Sequence, residues 1–114
     1  MITKDKNFIC KAIEVSQKTG VIFSAGLYRN EMKTRSFINA LDINNEMKEL
    51  AITKRKASSN LKRGFYRVGI IEKPEVEYEV LVVSGWLDLH IYHFSKAHGL
   101  EHVHCFEGIH DGNS

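Results

Sequence analysis

The sequence of 114 residues lacks an apolar run long enough to cross a bilayer, and its N-terminus lacks the features of a secretion signal. It has two cysteines, Cys10 and Cys105, which form no CxxC pair. These absences argue against a membrane protein and a disulfide-stapled secreted domain. They indicate a cytoplasmic protein of one domain, 1–114, with two buried thiols and a core that needs neither disulfide nor metal.

The chain also lacks the short motifs that mark common active sites. It contains no HExxH zinc motif, no HxE with a following CxxC, no Walker phosphate loop and no GxGxxG dinucleotide loop. Function therefore has to be inferred from charge, from periodicity and from the placement of histidine.

Charge divides the chain in two. Residues 1–63 carry 13 Lys and Arg against 6 Asp and Glu, whereas residues 64–114 carry 3 against 8. The net charges are +7 and −5, which give the +2 of the whole chain. One part of the surface is expected to attract polyanions and the other to repel them.

Apolar spacing in the first half predicts helices. The first helix has Phe8, Ile9, Ala12 and Ile13 on one face and ends at Gly20. The stretch that follows, 21–28, is uniformly apolar and fits either a buried strand or a helical turn.

A second helix is predicted after Asn30 or Thr34, and a third lies within 42–63. The third segment presents a basic surface, which is predicted to dock a nucleic acid or an acidic protein partner. The residues of this surface are Lys48, Lys54, Arg55, Lys56, Lys62 and Arg63.

From residue 64 to residue 110 the period becomes two, which predicts strands, with a turn at Lys73 and Pro74. Two hairpins then form a four-stranded antiparallel sheet, and 111–114 is a tail. The predicted fold is α+β, with two or three N-terminal helices packed on one face of that sheet.

All six histidines lie between residues 90 and 110. If the apolar side of WLDLHIYHF packs on the helices, His93 points inward and His98 lies in a loop. Register parity then brings His90 opposite His104 or Phe106 on the outward face. That face is predicted to hold Asp88, His90, Tyr92, His102 and His104.

Two kinds of chemistry fit this face. His90 and His104 could supply an acid and a base for phosphoryl transfer, with Tyr92 and Arg67 orienting a phosphate. Alternatively, His90, His102, His104 and Asp88 could hold a divalent transition metal such as zinc. A third interpretation is that the histidines are polar members of a wet sheet face and pair with nearby carboxylates.

The first functional hypothesis is therefore a small binding or regulatory protein that docks a nucleic acid or an acidic protein through its basic helices. The alternative is a small nuclease or phosphoryl-transfer enzyme that uses His90 and His104. A homodimer through the outer sheet face is a further prediction, because that face would carry an apolar patch. The patch consists of Ile71, Trp86, Phe94 and Phe106.

Overall fold

The computed structural model describes residues 8–29, 34–56, 64–85 and 88–107. Within these ranges the chain forms two four-stranded antiparallel sheets, each with its strands in chain order. Sheet A consists of β1 (Phe8–Val15), β2 (Val21–Arg29), β3 (Thr34–Asp42) and β4 (Lys48–Lys56). Sheet B consists of β5 (Arg67–Ile71), β6 (Glu79–Ser84), β7 (Asp88–Ser95) and β8 (Gly99–Glu107).

The predicted α+β fold is wrong, because strands replace all three N-terminal helices. The only helical element among the described residues is a single 3₁₀ turn, Ile43–Asn45, between β3 and β4. Gly20, which was expected to end a helix, instead has a φ of 73° in the turn that joins β1 to β2. The ambiguous stretch 21–28 lies within strand β2.

A bulge explains why β1 has the apolar spacing of a helix. The pairing of β1 with β2 shifts between Cys10 and Ala12, so that Lys11 is an extra residue. An extra residue reverses the face on which the following side chains lie. The alternation of a strand is therefore interrupted, and the remaining pattern resembles helical spacing.

The central strands of sheet A show no alternation because both of their faces are covered. Six consecutive residues of β3, from Ser36 to Leu41, are buried, as are the five residues of β2 from Phe23 to Leu27. On one face Ser24 donates a hydrogen bond to the side-chain oxygen of Asn39. A strand that is buried on both faces reads as a continuous apolar run.

The antiparallel sheet predicted for the second half is confirmed, but its faces are reversed. Asp88, His90, Tyr92 and Phe94 are buried, whereas the residues between them are only half-buried. The core lies between the two sheets, where the ring of Phe23 in β2 meets that of Phe94 in β7 at 5.3 Å. The buried face of sheet B is therefore the one that was predicted to be wet.

The two sheets approach each other along their edges, with β1 beside β5 and β4 beside β8. The segment before β5 is bonded to both sheets. The amide of Phe65 donates to the carbonyl of Gly26 in sheet A, and the amide of Tyr66 donates to that of Ser84 in sheet B. Phe65 is almost fully buried, so its ring belongs to the core that both sheets share.

A buried carboxylate joins the β1–β2 turn to sheet B. Glu79 begins β6, and its Oε2 accepts hydrogen bonds from Ser16 Oγ at 2.6 Å and Thr19 Oγ1 at 2.8 Å.

In the part of the chain that is described, no helix has the length and apolar character needed to cross a membrane.

Candidate metal centre

The position of His90 opposite Cys105 results from a bulge in β8. Along β7, Ile91 pairs with His104 but the next residue, Tyr92, pairs with His102, so that Val103 is an extra residue. Because a bulge reverses side-chain direction, both Cys105 and His102 lie on the buried face of sheet B. His104, which pairs with Ile91, lies on the opposite face from His90.

Asp88, His90 and Cys105 converge on one point. His90 Nε2 lies 2.8 Å from Asp88 Oδ2 and 3.9 Å from Cys105 Sγ. One ligand atom from each of the three residues lies within 4.8 Å of the other two. A carboxylate, an imidazole and a thiol are all ligands of zinc, and three of them in this arrangement make a candidate metal centre.

Asp88 is the most constrained member of the cluster. It is 5% exposed, and its Oδ1 atom has no hydrogen-bond partner among the described residues. Its carboxylate packs directly against Gly85, where any side chain would collide with Oδ1. A buried carboxylate oxygen without a partner costs free energy unless a donor or a cation satisfies it.

His102 contacts the other nitrogen of His90, since its Nε2 lies 2.9 Å from His90 Nδ1. Loss of hydration at the ring and the nearby positive charge of Arg55 lower the pKa of His102. A neutral His102 can accept a hydrogen bond from the Nδ1–H group of His90. This tautomer suits a metal ion that replaces the proton which Nε2 of His90 otherwise donates to Asp88 Oδ2, because the Nε2 lone pair then points at the ion, as in metal-binding histidines held by an outer partner.

Tyr92 lies behind these histidines. Its ring is fully buried and meets the ring of His102 edge-on at 5.1 Å. Burial raises the pKa of Tyr92 to about 12, and the positive charge of Arg55 opposes this shift. Although Arg55 is close enough to affect this pKa, it does not form a hydrogen bond of normal geometry with the Tyr92 hydroxyl. That hydroxyl has no partner among the described residues.

The arrangement does not match a cysteine–histidine–aspartate catalytic triad. In such a triad the nucleophile and the carboxylate contact opposite nitrogens of the histidine, so that the ring can pass a proton between them. Here Asp88 and Cys105 both approach Nε2 of His90. The geometry fits shared ligation of an ion better than activation of the thiol.

Two of the other predicted site residues, His104 and Arg67, lie away from the centre. His90 and His104 do not face each other, so the predicted acid–base pair does not form in this arrangement. Arg67 is exposed on β5 and pairs with Ser84, on the face turned away from the core. His93, predicted to point inward, is half-buried on the outer face, where it stacks on Tyr78 at 4.2 Å. His98 lies in the turn between β7 and β8, as predicted.

The predicted basic surface is divided, because β4 is a strand and its successive side chains point to opposite faces. Lys48 is exposed at the beginning of β4, and Lys54 is exposed on the outer face of sheet A. Arg55 points toward sheet B and lies near Tyr92 and His102. Lys56 ends the strand, but its side chain lies outside what the structure describes, as do Lys62 and Arg63.

The sequence interpretation missed Cys105 and Gly85 as parts of the site. Both cysteines were expected to be buried, but Cys10 is exposed and Cys105 is half-buried beside His90. No pattern of residue types predicts the bulge at Val103 that brings Cys105 to this face.

Comparison with protein-family models, curated proteins and solved structures found no match, so the site has to be interpreted from its own geometry.

Proposed function

We propose that this protein binds a divalent transition metal, for which zinc is the best candidate. Its ligands are one carboxylate oxygen of Asp88, Nε2 of His90 and Sγ of Cys105. The observation that carries the proposal is the convergence of these three atoms within 4.8 Å around a nearly buried histidine. Zinc bonds of about 2.0 to 2.3 Å at tetrahedral angles separate ligand atoms by roughly 3.3 to 3.7 Å. Small side-chain movements would therefore complete the coordination.

The chemistry of the donor set favours zinc over calcium or magnesium. A thiolate and an imidazole are soft and borderline ligands that suit zinc, copper or iron, whereas the hard cations prefer an all-oxygen set. Three protein ligands leave a fourth position for water or an external ligand, as in catalytic zinc sites. The unpartnered Oδ1 of Asp88 supports a cation here, because an ion would satisfy this buried oxygen.

The test is metal binding by the full chain. Apo-protein is titrated with zinc and, separately, with cobalt(II), whose thiolate complexes absorb in the near ultraviolet. We expect one equivalent to bind, a cobalt–thiolate absorption band, and a zinc-dependent rise in melting temperature. His90→Ala and Cys105→Ser should each weaken zinc binding by more than about 100-fold, since even outer-sphere partners contribute 10- to 100-fold.

Matched controls of the same residue types are available. Cys10→Ser removes the other thiol, which is exposed on β1, and His104→Ala removes a histidine from the opposite face of sheet B. Both variants should bind zinc as the parent does. Absence of zinc and cobalt binding, or equal losses in the two control variants, would contradict the proposal.

A further inference from the structure

A patch of aromatic and basic side chains lies on sheet A, remote from the candidate metal centre. Phe8 and Tyr28 pair across β1 and β2, with their ring centroids 4.8 Å apart. Lys54 holds its Nζ 4.0 Å above the Tyr28 ring and 5.3 Å from the centre of the Phe8 ring. Arg35 pairs with Tyr28 on the other side. We call Phe8, Tyr28, Arg35 and Lys54 the aromatic–basic patch.

The patch lies on the face of sheet A that is turned away from sheet B. Ala25 and Ile38 point into the shared core, so their neighbours Gly26 and Phe37 point the other way. Gly26 has no side chain, and the ring of Phe37 packs edge-on against Phe8 at 5.0 Å. Phe37 is buried and thus forms the floor of the patch, while Lys54 is exposed above it.

The charge of this region has one sign. Two rows of paired residues cross the four strands here, and the seven positions on this face whose side chains are described include two Lys or Arg and no Asp or Glu. These positions are Phe8, Tyr28, Arg35, Cys10, Gly26, Phe37 and Lys54. Residues 1–63 as a whole carry a net charge of +7. The region therefore favours a polyanion.

We propose that the aromatic–basic patch binds single-stranded nucleic acid, with a base stacked on Tyr28 and phosphates held by Lys54 and Arg35. Unstacked bases can lie on aromatic rings in any sequence, whereas the bases of a duplex are already stacked on one another. The carboxylates of an acidic protein would engage the two cations but would not stack on the rings, whose faces are electronegative. Nucleic acid is thus the partner that matches both the charge and the rings.

Lys54 gives this surface a specific way to respond to its ligand. In the free protein its ammonium group lies over the Tyr28 ring, where the π electrons stabilise the charge. A base that stacks on this ring displaces the ammonium group toward the neighbouring phosphate. The same two residues thereby contribute one stacking contact and one ion pair.

The experiment measures the fluorescence anisotropy of a labelled strand of about 15 thymidines, a length in the range of single-strand binding sites. We expect binding at low salt that weakens as salt increases, with much weaker binding to a duplex of the same length. Tyr28→Ala should weaken binding by about 5- to 100-fold, which corresponds to the loss of one stacked base. Tyr28→Phe should retain binding within about twofold, because it keeps the ring face.

Lys54→Ala should lower the slope of log affinity against log salt by about 0.7, the value for one phosphate contact on a single strand. Lys96→Ala is the matched control, since Lys96 is an exposed lysine in the β7–β8 turn, within the acidic half. Circular dichroism of each variant verifies that it is folded. Cys105→Ser should bind the strand normally, which separates this proposal from that of the metal centre.

Three results would overturn the proposal. The first is an absence of binding at low salt, and the second is equal binding by Tyr28→Ala and the parent. The third is binding to heparin or to duplex as tight as binding to the single strand, which would indicate a surface for polyanions or acidic proteins.

Discussion

The Nδ1 atom of His90 lies 2.9 Å from the Nε2 atom of His102, on the side of the ring away from Asp88 and Cys105. This contact joins β7 to β8 directly beside the bulge at Val103. It restrains the rotation of the His90 ring about its side-chain bonds. His102 is therefore a positioning residue for the candidate metal centre and not one of its ligands.

His102→Ala should weaken zinc binding by about 10- to 100-fold, the usual effect of removing the outer partner of a metal-bound histidine. Zinc titration with a competing chelator measures the change. His104→Ala is the matched control, because it removes a histidine two residues away that points to the other face. If His102→Ala abolishes binding as completely as His90→Ala does, His102 is a ligand and the assigned coordination is wrong.

Gly85→Ala tests the space around Asp88. A Cβ atom at this position would collide with Oδ1 of the buried carboxylate, which would have to move and so disturb its contact with His90. We expect a loss of zinc affinity and a decrease of about 1 to 3 kcal/mol in the free energy of unfolding, the usual cost of overpacking. Metal titration and chemical denaturation measure the two effects.

Gly69→Ala is the control for this substitution. Gly69 lies in β5, and a Cβ atom there would meet no other atom within 4 Å. It should leave both zinc affinity and stability close to those of the parent. An effect of Gly69→Ala as large as that of Gly85→Ala would show that the loss does not depend on Asp88.

Tyr92→Phe tests the buried hydroxyl group. Burial raises the pKa of Tyr92 to about 12 from an unfolded value of 10, so the folded state retains the proton more strongly than the unfolded state does. The resulting stabilisation is fully present below pH 10 and is lost as the pH rises toward 12. Two pKa units correspond to about 2 to 3 kcal/mol.

Tyr92→Phe should therefore remove much of the alkaline loss of stability, which is measured by chemical denaturation at pH values between 9 and 12. At neutral pH it should be neutral or slightly stabilising, because the hydroxyl has no partner among the described residues. Strong destabilisation at neutral pH would instead indicate that the hydroxyl makes an important hydrogen bond.

The sequence predicted the strands of sheet B from their period of two, but it could not predict which face is buried. In β7, both Leu89 and Ile91 on one face and Tyr92 and Phe94 on the other are large enough to fill a core. Asp88 and His90 were assigned to water because of their polarity. They are buried because His90 contacts Asp88, which lowers the cost of removing either group from water.

Sheet A was mistaken for helices for a different reason. Its inner strands are covered on both faces, and its outer strands contain irregularities at Lys11 and near Leu50 that interrupt the period of two. Bulges depend on pairing with the neighbouring strand and leave no marker in residue type. Because β4 was predicted to be helical, Arg55 was assigned to the same basic surface as Lys54 and Lys56 and not to a position beside the histidines.

The buried carboxylate of Glu79 should be important for stability independently of any metal. Its Oε2 accepts hydrogen bonds from Ser16 and Thr19, which connect the β1–β2 turn to the beginning of β6. Glu79→Ala leaves both hydroxyl groups without this acceptor, and we expect a decrease of about 1 to 3 kcal/mol in the free energy of unfolding. Glu77→Ala removes an exposed carboxylate two residues earlier and should change the free energy by less than about 0.5 kcal/mol. Chemical denaturation measures the free energy of unfolding of the two variants. Equal values would mean that the hydrogen bonds between the β1–β2 turn and Glu79 do not stabilise the fold.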